Sequence, residues 1–502
     1  MESRTVNATR NAIFGVIYKV ITILFPFLIR TVMIYILGSE YVGLNSLFTS
    51  ILSFLSLAEL GIGQALVYSM YKPIAEKEND KICALLNLYR KLYRLIGLIV
   101  LAVGLLLMPF LKYIVKSGTP ADVNLYVLYG IYLVNLVASY WVYGYKQSLL
   151  VANQRSDIVS KRSIVVQTLM YVMQVCVLLI FKDYFLYIIL LPIFTIITNL
   201  ANSVIVDRMY PEYKCYGKVE KDVENSIRKK VIALFGTKAN SVIMHALDNI
   251  VISAFLGLVM VGDYGNYYYI LNAIIGVMTI IYSSLTAGLG NSLVVDSKEK
   301  VYQDFNLLSF LNAWMVSWCS VCLLCLYQPF MKIWVGEKRM LDFTIVILLV
   351  IYFFVYQIRR IVLTYKDAGG IWWEDRFRPY VMMLTNVVGN LILVQIIGLY
   401  GVILSTIIAM FVSWPWEIHI LFKHLLKRST LEYYKSLGIY IICTALISIA
   451  TYFVCQFLPN GFVGLILRVI VCAIVPNVLF VLFFFKKKEF SKFLRKICSF
   501  RK

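Results

Sequence analysis

GIGQAL occupies residues 61–66 and GLGNSL occupies residues 288–293. Each closes a long apolar run, and each follows an acidic–tyrosine pair, Glu40-Tyr41 in the first case and Asp263-Tyr264 in the second. A GxG invites comparison with a phosphate-binding loop. That loop needs a strand before it and a helix N-terminus after it. GIGQAL instead reads as the cytoplasmic end of an apolar helix, and its recurrence marks an internal duplication.

Sliding the chain by 219 residues lays 12–38 on 231–257 without a gap, so Lys19 meets Lys238 and Gly38 meets Gly257. The acidic–tyrosine pairs then match at a shift of 223, and the two hexamers at 227. Val142-Tyr143 matches Val355-Tyr356 at 213, which sets Lys146 opposite Arg359 and Gln147 opposite Arg360. The near-constant shift predicts a six-span repeat. Both copies begin on the same side of the membrane, so the halves run in parallel, as in transporters that bind their substrate between repeats.

The medium follows from composition. Of 502 residues, 61% are hydrophobic and only 15% charged. Mean hydropathy is +0.79. A soluble core cannot absorb that much apolar surface, so the bilayer is the solvent. At about 20 apolar residues per crossing, fourteen spans are expected: 13–37, 43–70, 92–111, 124–149, 162–181, 184–206, 231–257, 264–290, 305–328, 343–364, 380–397, 399–421, 437–457 and 464–485.

The net charge of +21 is no sign of nucleic acid, because the basic residues cluster between alternate apolar runs. The opposite loops hold only Lys112, Lys116, Lys182, Lys332, Lys338 and Arg339. The basic side is cytoplasmic by the positive-inside rule, which puts both termini inside. The apolar run 13–37 is too long for a cleavable signal. The tail 486–502 reads as an anchor to anionic inner-leaflet lipid.

Five basic residues fall inside spans: Lys19, Arg30, Lys146, Lys238 and Arg468. An intramembrane charge is a functional hypothesis by default. Lys19 and Lys238, matched by the repeat, predict a cationic patch for an anionic substrate. Arg30, Lys146 and Arg359 extend it as candidate substrate-binding cations, while Arg468 reads as a snorkelling side chain. Glu59 and Asp248 are the candidate coupling or salt-bridge carboxylates, with Asp248 placed to meet Arg30. His245, His419 and His424 are the only histidines, and none has a partner at metal or triad spacing. CSVCLLC (319–325) sits mid-span and reads as packing, so no metal, cofactor or disulfide is expected. No nucleophile or paired carboxylates in a catalytic context suggest an enzyme.

SLAELGIGQALVYSMYKPIAEKENDKICALLNLYRKLYRLIG (56–97), LLVANQR (149–155) and YKDAGGIWWEDRFRPYVMMLTNVVGNLILVQIIGLYGVILSTIIAM (365–410) resemble the polysaccharide transporters of the MOP superfamily, the Wzx-type oligosaccharide-lipid flippases. The resemblance covers most of 1–421 and carries no residue-by-residue site motif. It implies an all-α polytopic protein with two parallel six-helix lobes in a V-shaped, MATE-like arrangement. The lobes would be 1–206 and 231–421, joined by a cytoplasmic linker at 207–230 and followed by two further spans within 437–485. A twelve-span count is the alternative. The implied substrate is an undecaprenyl-pyrophosphate-linked oligosaccharide, moved to the outer leaflet of a bacterial cytoplasmic membrane by alternating access, with polysaccharide polymerase or export machinery as partners. Rival readings are a cation-coupled multidrug exporter, a lipid II flippase, and a membrane glycosyltransferase or polymerase. The last would need acidic extracytoplasmic loops, which are short and nearly bare here.

Overall fold

The computed structural model describes residues 4–500 apart from positions 60, 117 and 118. Every described element is a helix. The first compact unit spans Met1–Gly265 and the second Asn266–Lys502. In the first lie α1 (Arg4–Ile36), α2 (Ser39–Leu55), α3 (Ile62–Glu76), α4 (Asn79–Leu107), α5 (Leu111–Ile114), α6 (Leu125–Trp141), α7 (Gln147–Ala152), α8 (Ser156–Ile180), α9 (Tyr184–Met209) and α10 (Lys221–Leu256). Helix α11 (Leu258–Val295) begins in the first unit. The second continues with α12 (Lys298–Trp334), α13 (Phe343–Ile358), α14 (Arg360–Ala368), α15 (Arg378–Ile397), α16 (Leu399–Leu421), α17 (Leu431–Gln456), α18 (Phe462–Phe484) and α19 (Lys488–Phe500).

Thirteen of the described helices are long and apolar enough to cross a bilayer. The bent pair Leu125–Trp141 and Gly144–Ala152, turned by 50°, makes a fourteenth. This agrees one for one with the expected spans. The protein is therefore a multi-pass membrane protein. Side-chain caps close the turns that precede two of the spans. Asn124 accepts from the amides of Tyr126 and Val127, at 3.1 and 3.2 Å. Asp183 accepts from that of Leu186 at 2.9 Å.

The repeat is visible in the backbone. Gly38 and Gly257 end α1 and α10 in the same positive-φ conformation, φ 113° and 91° with ψ 173° and 170°. Each donates its amide to the carbonyl five residues back, Met33 and Ile252, at 3.0 Å. The 219-residue register persists beyond this point, contrary to the expected drift to 223. Gly43 on α2 and Gly262 on α11 are matched at 219, and each lies against the other's helix start. A Cβ on Gly43 would stand 2.1 Å from the Leu258 carbonyl oxygen, and one on Gly262 would stand 2.4 Å from that of Ser39. Ser39 and Leu258 are themselves counterparts. Two helices at this separation tolerate only hydrogen at both positions.

The hexamers part company in conformation. Gly61 adopts φ +86° just past the second span, Ser39–Glu59, where α2 gives way to a short 3-10 turn, Ser56–Glu59, and then to α3. The single helix expected over 43–70 is thus two, and a helix N-terminus does occur at the hexamer, at Ile62 with Gly61 as its cap. GLGNSL lies within unbroken α11. Equal local sequence permits both outcomes because glycine is indifferent to the sign of φ.

Candidate functional site in the first unit

The break at Gly61 faces a second one. The fourth span stops at Trp141, Tyr143 takes a left-handed φ of 53°, and the chain resumes at Gly144. A left-handed aromatic residue is uncommon and costs energy that local packing must hold in place. Interrupted spans occur where backbone lines a cavity or is buried in protein. Here the interrupted fourth span and the break after the second border a pocket of about 540 Å³, within the size range of small-molecule sites.

Its lining is polar and tyrosine-rich: Glu59, Gln64, Tyr89, Tyr93, Tyr140 and Gln147 carry its chemistry. Hydroxyls form a relay. Tyr89 donates to Tyr93 at 3.1 Å, and Tyr93 donates to the Glu59 carboxylate. The Tyr93 ring packs edge-on against Tyr140 with centroids 5.4 Å apart. Gly63 leaves room for this relay, since a Cβ there would stand 2.8 Å from the Tyr89 hydroxyl. Asn202 donates to the Gln147 side-chain oxygen at 3.1 Å, and Asn199 to the Ser139 carbonyl at 3.3 Å, which holds α9 against the break. Glu59 is half-buried and forms no ion pair among the described residues. The arrangement offers one carboxylate, several amides and flat aromatic faces to a polar solute.

Of the sequence-derived candidates, only Glu59 lines this pocket. Lys19 is exposed on α1 and Lys238 half-buried on α10; neither forms an ion pair among the described residues. Arg30 donates to the Gly262 carbonyl oxygen at 3.2 Å, at the first turns of α11. There the Ser39 hydroxyl also donates to buried Asp263, at 3.1 Å. Asp248 is buried on α10, beside Asn249, which donates to Ser50 at 2.9 Å. The side chain of His245 lies outside those described.

Lys146 and Arg359 are placed by one repeated device. The Lys146 ammonium donates to Asp207 at 2.6 Å and to Ser203 at 2.8 Å, two residues one turn apart on α9. The Arg359 guanidinium donates to Glu417 at 3.0 Å and to Ser413 at 3.0 Å, again one turn apart, on α16. Arg359 is 3% exposed and Glu417 0%. Arg359 is therefore enclosed within the second unit and does not open onto a vestibule. Arg378 joins it, 2.7 Å from Glu417 and 2.8 Å from Asp375, which also takes Lys366. In the first unit, Arg10 and Arg155 hold Asp157, fully buried at the start of α8, at 2.8 and 3.0 Å.

Sequence reasoning missed Gln64, Tyr89, Tyr93, Tyr140, Gln147 and Asn199. A local clue existed for the tyrosines: Tyr89 and Tyr93 are four apart, on one face of α4.

The comparisons agree with this architecture. The family model described as "Polysaccharide biosynthesis protein" matches residues 8–286. The chain belongs to this family. No curated protein matches it in sequence. Among solved structures, the lipid II flippase MurJ in an inward closed conformation superposes with a TM-score of 0.65 at 13% identity, covering 95% of this chain and 99% of that one. An inward-facing multidrug resistance MATE family transporter of the MOP superfamily gives 0.60 at 14% identity, over 83% and 99%. The MATE multidrug transporter DinF-BH gives 0.55 at 17%, over 84% and 94%. The chain thus shares the fold of MurJ and of these MATE transporters.

Proposed function

We propose that the protein is a flippase carrying an undecaprenyl-pyrophosphate-linked oligosaccharide from the inner to the outer leaflet of a bacterial cytoplasmic membrane, by alternating access. Both termini lie in the cytoplasm on this reading. The observation that carries it is the pocket bordered by two helix breaks, in a member of the polysaccharide biosynthesis family. Tyrosine faces and side-chain amides suit sugar rings and hydroxyls. Lys19 and Lys238 are the cations left for the diphosphate, because Lys146 and Arg359 are engaged by Asp207 and Glu417.

The energetics need no nucleotide. One charge crossing 100 mV is worth about 2.3 kcal/mol, so a diphosphate diester with about two negative charges gains about 4–5 kcal/mol moving outward from an inside-negative cell. A second reading, a cation-coupled multidrug exporter, is favoured by Glu59, whose charge meets no basic partner among the described residues.

The test is accumulation of lipid-linked glycan in the outer leaflet of cells depending on this chain. Lys19→Ala combined with Lys238→Ala should abolish it while membrane insertion persists. Unchanged export would remove the lysines from the mechanism, and drug resistance conferred without glycan export would replace the reading with the exporter.

A further inference from the structure

The CxxC spacings of 319–325 point to the wrong partners. The second unit brings Cys325 of α12 together with Cys455 of α17 and Cys472 of α18, their three Sγ atoms all within 4.8 Å of one another and all three residues buried. No disulfide joins them.

The backbone of α18 contributes to the convergence. Pro476 has no amide hydrogen, so the carbonyl of Cys472, four residues earlier, loses its helical donor. The Trp318 indole takes that acceptor at 2.9 Å, and the Cys322 thiol reaches it at 3.9 Å. Both donors belong to α12, so α18 is tied to α12 at the level of the triad. One turn outward on α18, buried Arg468 donates to the carbonyls of Pro459 and Leu458 at 2.8 and 3.0 Å, closing the turn from α17.

We propose that Cys325, Cys455 and Cys472 form a soft-cation site that takes one Cu(I), or its analogue Ag(I), and staples the last two spans to α12. Three thiols and no imidazole or carboxylate select soft ions. Geometry agrees: a trigonal ion with metal–sulfur bonds of about 2.3 Å, the zinc–thiolate length, holds its sulfurs about 4 Å apart. That lies inside the observed envelope. Zinc at a structural site takes four ligands, and the group offers three. Cu(I) is satisfied by two or three sulfurs. Coordination by two thiolates and one thiol releases two protons to water and leaves a net charge of −1. The site is independent of the flippase reading and stands or falls alone.

The experiment is a Cu(I) titration of the full-length protein in detergent against a colorimetric Cu(I) chelator, with Zn(II) in parallel. One Cu(I) per chain should be withdrawn from the competitor, with a thiolate-to-copper absorption band and a higher melting temperature. Cys455→Ser, at the last turn of α17, should lose that copper while keeping a monodisperse profile. Cys176→Ser, at an exposed cysteine of the first unit, should retain it. Copper withdrawn equally by wild type and Cys455→Ser, no copper withdrawn at all, or preferential uptake of Zn(II) would each overturn the proposal. Should Cys455→Ser fail to fold, Ag(I) protection of the three thiols from alkylation in the wild-type protein decides the matter: unprotected thiols refute the site.

Discussion

Gly43 and Gly262, 219 residues apart, each lie against the first turn of the other's helix. A Cβ on either would approach a backbone oxygen to 2.1 or 2.4 Å. Neither oxygen belongs to a side chain that could swing aside. Gly43→Ala and Gly262→Ala should therefore each destabilise the protein by about 1–3 kcal/mol or more through overpacking. Thermal unfolding in detergent is the measurement. A melting point like the wild type's for either variant would show that α2 and α11 are not held this close.

The two hexamers should answer the same substitution with opposite signs. Gly61 sits at φ +86°, so Gly61→Ala should cost about 1–2 kcal/mol. Gly288 is inside continuous α11 with open space where its Cβ would go, so Gly288→Ala should stabilise by about 0.5–1 kcal/mol. Equal effects at both would mean that there is no helix break at Gly61.

In the pocket, Tyr93→Phe removes one hydrogen bond to a charged group, about 1.5–3 kcal/mol. If that bond orients Glu59 for transport, glycan export should fall about tenfold or more. Glu59→Gln keeps the shape and removes the charge, and should be at least as damaging. Export unaffected by Glu59→Gln would show that the carboxylate serves packing alone.

The repeated cation–serine–acid device should differ in weight between its two copies. Glu417→Ala strands buried Arg359 and should cost about 3–5 kcal/mol. Asp207, 57% exposed, leaves Lys146 able to reach water, and Asp207→Ala should cost about 1 kcal/mol or less. Denaturant titrations of the two variants compare them directly, and a larger loss at Asp207 would reverse the assignment of the sealed copy.

The spans and the repeat were legible because hydropathy and glycine placement are local or periodic signals. Gly38 and Gly257 announced themselves at one shift, and the structure carried that shift on to Gly43 and Gly262. The break at Gly61 was not legible: GIGQAL and GLGNSL encode a joint and a straight rod with nearly the same residues, and they differ in surroundings, Gly63 standing against the Tyr89 hydroxyl and Gly288 against open space. Glu59 stood out as a carboxylate in an apolar run, but the amides of Gln64, Gln147 and Asn199 did not, since their meeting depends on three helices. Arg359 looked like a vestibule cation because its partner, Glu417, is a span away in sequence and unmarked by spacing. The same distance hid the thiol cluster, whose members sit on three helices while CSVCLLC drew attention to one.

Two helix breaks beside one pocket also change what evolution can vary. Gly63 and Gly144, beside the two breaks, have no side chain and line the pocket with their backbone, so part of its wall is written in the main chain. Lining side chains such as Gln64 and Tyr68 can then drift from one solute to another while that backbone wall stays. Solute choice becomes an adjustable skin over a fixed frame.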